Sequence, residues 1–109
     1  MIEVEMTSLE IAELTGKQHR NVRRDISNKL IPKLDTLKNE HIEFTIKTGT
    51  YKDTNKRTQE LYILNKNSVN LLMAGYSTEL AGKLIIRIAH LESELAKKQE
   101  EVDIMKNIV

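Results

Sequence analysis

The chain has 109 residues, 39% of them hydrophobic, no cysteine and a net charge of +1. That length is one domain's worth with a small core, filled by Leu, Ile and Val because there is no Trp, one Phe and three Tyr. Disulfides and thiolate metal sites are excluded, runs such as LIIRIA are too short and too charged to cross a bilayer, and the acidic start MIEVEM is not a signal peptide, so a soluble cytoplasmic protein is expected.

The small net charge hides a segregation. Residues 1–16 carry Glu3, Glu5, Glu10 and Glu13 with no Lys or Arg. Residues 17–33 carry Lys17, Arg20, Arg23, Arg24, Lys29 and Lys33 against Asp25 alone. Local fields, and not the total, decide what a surface attracts.

In chain order, Thr7 or Ser8 is a good N-cap for a first helix of about two turns, with Glu10 in its first turn and Gly16 as its left-handed stop. A second helix is predicted from Lys17 or Gln18 to Leu30. Val22, Ile26 and Leu30, spaced by four, form its buried stripe, and His19 falls near that stripe. Lys17, Arg20, Asn21, Arg24 and Asn28 fall roughly opposite, with Gln18 and Arg23 on the flanks. Pro32 ends or kinks this helix, and Leu34 and Leu37 add a last turn.

Ile42, Phe44 and Ile46 alternate with polar residues as a half-buried strand does, and ELYIL reads as the returning strand. Between them, Thr48 to Thr50 and KDTNKR are turn-rich, which predicts a β-hairpin with a basic tip. A short helix follows, capped at Asn65 or Asn67 and ending near Gly75. From Ser77 one long helix is predicted. Ala81, Leu84, Ile88, Leu91, Leu95, Lys98, Val102, Met105 and Val109 recur in steps of three and four, a coiled-coil signature in which Lys98 is a break. Packing of this helix on its own domain is the competing reading, strongest before His90.

Two short helices joined by a Gly-containing turn, the second basic on its outer face, form a helix-turn-helix pattern, and the hairpin would be its wing. Arg pairs bidentately with guanine and Asn or Gln with adenine, so Arg20, Asn21 and Arg24 are the candidates for base edges. Lys17 and Gln18 would sit near the DNA backbone at the helix start, and Arg23, Lys52, Lys56 and Arg57 would contact phosphates. His19 is open between a hydrogen bond inside the helix junction and a DNA contact. Tyr51 on the hairpin is open between packing and a phosphate contact.

No metal site is expected, because His19, His41 and His90 are scattered. Nor is a cofactor or an enzyme. GYSTELAGKL has the outline of a phosphate loop, but Ser77 stands where the first Gly is required and Leu84 replaces the Ser or Thr.

The stretch TSLEIAELTGKQHRNVRRDI resembles the phage regulatory protein Rha family, whose members share a pattern close to S-x-x-I-A-x-x-T-G-K-x-H-x-x-V-x-R-D-I. Ser8, Ile11, Ala12, Thr15, Gly16, Lys17, His19, Val22, Arg24, Asp25 and Ile26 match it. The resemblance continues through TYKDTNKRTQELYILNKNSVNLLMAGY and covers roughly residues 7 to 90. It implies a phage- or prophage-encoded regulator with a winged-helix-like DNA-binding module, working in the cytoplasm of a bacterial host.

The expectation is therefore an α+β chain. Residues 1–76 would be a winged helix-turn-helix-like domain, and residues 77–109 a helix forming a dimeric coiled coil through Leu84, Ile88, Leu91, Leu95, Val102 and Met105. A homodimer on double-stranded DNA is the leading partner assignment. The rival is an antirepressor or inhibitor that binds a host or phage protein.

Overall fold

The computed structural model describes residues 3–108, with side chains through Gln99. It is a small α+β fold. Strand β1 (Glu5–Thr7) leads into helices α1 (Ser8–Thr15) and α2 (His19–Asp25), then strands β2 (Ile46–Lys52) and β3 (Thr58–Asn65). Helices α3 (Lys66–Met73) and α4 (Thr78–Ile108) complete it. The sheet is antiparallel in the order β1-β3-β2.

Local chemistry sets the start of the fold. The Thr7 hydroxyl accepts the Glu10 amide at 3.1 Å, and the Glu10 carboxylate reaches back to the Thr7 amide at 3.4 Å, a reciprocal capping box. Gly16 ends α1 at φ +75°, a left-handed conformation costly for any residue with a Cβ, and its amide closes on the Ala12 carbonyl at 2.9 Å.

After Asp25 the helical path widens into one π-helical turn (Ile26–Leu30), then tightens into a 3-10 turn (Ile31–Lys33). Pro32 supplies the reason: it has no amide to donate, and its ring crowds the carbonyl four residues back. A spacing of four drifts about 40° per step on an ideal α-helix. Widening the turn opposes that drift, and Val22, Ile26 and Leu30 all stay buried.

The core joins Met6 of β1, Ile11 and Ala12 of α1, Val22, Ile26 and Leu30 after the turn, Leu64 of β3, and Val69, Leu72 and Met73 of α3. Leu84 and Ile88 of α4 close it, and α4 packs on α1 and α3. These two were assigned by spacing to a seam between chains. At 0% and 4% exposure they are instead consumed by their own domain. Leu91 and Leu95 are half-buried, and Leu91 packs against the same cluster. The side chains of Val102 and Met105, and Val109, lie outside the described residues.

The first strand of the hairpin lies later in the chain than the sequence pattern suggests. It begins at Ile46 and includes Thr48 to Thr50, which compositionally look like a turn. Ahead of it, the Asn39 side-chain oxygen takes the amides of His41 and Ile42 at 2.8 and 2.9 Å, diverting donors a strand would use. Gly49 belongs in the strand for a packing reason. A Cβ there would stand 3.1 Å from Leu61 Cδ1 and 3.3 Å from Ile63 Cδ1, side chains that cross the position.

Candidate nucleic-acid interface

Two turns of α2 divide its residues cleanly. Val22 faces the core at 0% exposure, while Arg20 and Arg24 stand exposed on the other side. Each guanidinium is steadied by a neighbour on its own element. Arg20 Nε donates to Gln18 Oε1 at 2.8 Å, and Arg24 Nη2 donates to Asn21 Oδ1 at 2.7 Å. Those bonds leave most of the five N–H donors of each fork pointing outward. A cleft of about 240 Å³ runs between this surface and the sheet, lined by Arg20, Arg24, Ser27, Thr48 and Tyr62. Ser27 and Thr48 carry no signal in sequence, because only the folded hairpin brings them beside α2.

The third arginine does something else. Strand β1 pairs with β3 from Ile63 to Asn65, so among the described residues the preceding backbone of β3 has no strand on that side. Side chains from the helices take its place. Arg23 Nη1 donates to the Glu60 carbonyl at 3.2 Å, and the Tyr62 amide donates to Ser8 Oγ at 2.9 Å. Arg23 Nε is buried without a hydrogen-bond partner. Arg23, expected at a phosphate, is thus a strut from α2 to the sheet.

His19 extends the same junction. Its Nε2 lies 2.8 Å from Ser8 Oγ and its Nδ1 lies 3.1 Å from the Tyr51 hydroxyl, with the two rings 5.6 Å apart. Both ring nitrogens are taken within the chain, which places His19 between α1, α2 and β2 and leaves neither for a base edge. Burial, reinforced by the Arg23 charge, holds its pKa below the usual 6.5. Lys17 is also turned away, its ammonium 4.8 Å from the centre of the Tyr76 ring. Burial and the Asp25 carboxylate push the Tyr76 phenol up to about 12.

At the hairpin tip, Asp53 organises the turn. Its carboxylate accepts the Asn55 and Arg57 amides at 2.9 Å each, Arg57 Nε at 3.3 Å and Gln59 Nε2 at 3.2 Å. These bonds, the Arg57 amide first, hold its carboxyl below the usual range. Arg57 is therefore paired, and Lys52 donates to Thr58 Oγ1. Lys56 stands exposed at the apex with φ +61°. The structure thus gathers Arg20, Asn21 and Arg24 on one outer surface and sets Lys52, Lys56 and Arg57 on the hairpin.

Compared with known families, the model of the phage regulatory protein Rha family matches residues 6–101. The chain belongs to that family. The match takes in all of β1 through α3 except Glu5, and most of α4. No curated protein and no solved structure matches the chain. No helix among the described residues is long and apolar enough to cross a membrane. No group of three potential metal ligands occurs among them.

Proposed function

We propose that this Rha family member is a regulator that binds duplex DNA, with α1 and α2 acting as a helix-turn-helix and the β2–β3 hairpin as its wing. The observation that carries the reading is the opposed burial on α2: Val22 and Ile26 anchor it inward while Arg20 and Arg24 stand outward. In this reading α2 enters the major groove, Arg20, Asn21 and Arg24 meet base edges, and the wing lysines and Arg57 meet phosphates. The role is one of binding and not of catalysis.

Two copies would act together through α4. With Leu84 and Ile88 already used inside the domain, the pairing surface falls to later turns of the helix and to its outward face, where Ile85 and Ile86 are 55% and 72% exposed. A two-fold pair reads half-sites about one helical turn, or a multiple, apart.

Selection of bound duplexes from a random pool tests the proposal. Enrichment of a two-fold symmetric motif is expected. Failure to retain any duplex at low salt, with a host or phage protein captured instead, would support the antirepressor reading.

A further inference from the structure

At the junction of α1, α2 and the hairpin, Ser8, His19 and Tyr51 form one chain of hydrogen bonds. Ser8 Oγ is fully buried and already accepts the Tyr62 amide. Its single hydrogen must go to an acceptor, and His19 Nε2, 2.8 Å away, is the one in reach among the described residues. The opposite tautomer would aim an N–H at Ser8 and strand the serine hydrogen where no water comes, at the cost of an unpaired buried donor. Nε2 is therefore the bare nitrogen and Nδ1 carries the proton.

Nδ1–H then donates to the Tyr51 oxygen, 3.1 Å away. This fixes the direction of the whole relay, from the Tyr62 amide through Ser8 and His19 to Tyr51. The Tyr51 hydroxyl accepts within the chain, so its own hydrogen is left for another acceptor, and it has no other protein partner among the described residues. Tyr51 is half-buried on β2, one residue from exposed Lys52 and beside the start of α2. A donor with no acceptor of its own, held at the seam between helix and wing, suits a ligand that only accepts.

We infer that the Tyr51 hydroxyl donates to a backbone phosphate oxygen of bound DNA, with Ser8 and His19 as the residues that orient it. The inference rests on the DNA-binding reading and adds to it an uncharged contact, distinct from the wing cations. Lowered basicity of His19 supports the arrangement, because the neutral ring is the form that can accept from Ser8.

The test uses Tyr51→Phe, which keeps the ring and removes only the hydroxyl, with Arg24→Ala alongside. Binding to the selected duplex should weaken roughly 10- to 150-fold, the worth of one hydrogen bond to a charged acceptor. The salt dependence should be unchanged, since no counterion is released by a neutral group. Duplexes carrying a neutral methylphosphonate at single positions should include one on which wild type and Tyr51→Phe bind equally. Tyr51→Phe binding as tightly as wild type, or losing the same factor on every substituted duplex, overturns the inference. If Arg24→Ala still weakens binding in that case, the DNA-binding reading survives alone. A wild-type chain that binds no duplex overturns both.

Discussion

Helices α2 and α4 spend their surfaces differently. The seven residues of α2 are held on three sides, by the core through Val22, by β3 through Arg23 and by α1 and β2 through His19. Nothing among the described residues covers its outer arginines, Arg20 and Arg24. Helix α4, 31 residues long, buries Leu84 and Ile88 and packs Leu91 on the same cluster, while Ile85 and Ile86 between them stay exposed. A short helix with fixed orientation suits recognition at the scale of one bond length. The exposed Ile85 and Ile86 of α4 suit the pairing proposed for it.

Breaking the buried face of α4 should give the largest effect. Leu84→Ala removes a fully buried side chain and should cost about 2–5 kcal/mol in urea unfolding. His90→Ala, at an exposed position of the same helix that has no part in the proposed pairing, should stay within about 0.5 kcal/mol. Equal effects at the two positions would mean that the inward and outward faces have been misassigned.

Next comes the support of α2. Ser8→Ala deprives the Tyr62 amide and His19 Nε2 of their shared partner. Unfolding free energy should fall by about 1–3 kcal/mol. A neutral result would show that water replaces the hydroxyl.

The same junction sets a pH dependence. The folded ring of His19 has a pKa below 6.5, so as pH falls the unfolded chain takes the proton first. This group leaves stability unaffected well above pH 6.5 and lowers it as pH drops through that value, until the folded pKa is reached. The stability advantage of wild type over His19→Gln should accordingly shrink from about pH 7.5 to pH 5.5 in thermal unfolding. An advantage that grows with acid would mean that the folded chain favours the charged ring, contrary to the lowered pKa.

The smallest effect is at the wing. Lys56→Ala should weaken binding to all duplexes alike and lower the slope of log affinity against log salt by about 1. Loss confined to particular base pairs would move Lys56 from phosphate to base contact.

What could be read ahead of the structure follows the range of the interactions. The first helix, its Thr7 cap and its Gly16 stop are fixed within a few residues, as is the Asn65 cap on α3, whose side chain accepts the Ser68 amide at 3.0 Å. The stripe on α2 was equally visible in its spacing. In α4 the same signal marked a buried stripe without saying what buries it, because periodicity carries no information on whether the partner is the same chain. Strand β1 escaped notice because three residues form it, and its partner Asn65 lies far along the chain. Arg23 and His19 carry the side-chain chemistry of DNA contacts. Only the exposed backbone of β3 and the buried Ser8 hydroxyl show them to be braces.

The most direct measurement pairs Arg24→Ala with Arg23→Ala on the selected duplex and on variants with each base pair changed. Arg24→Ala should lose about 1–3 kcal/mol of affinity, relax one base position and unfold like wild type. Arg23→Ala should lower stability and leave the preferred sequence as it was. Arg24→Ala that keeps full affinity and full discrimination would contradict α2 as the reading helix.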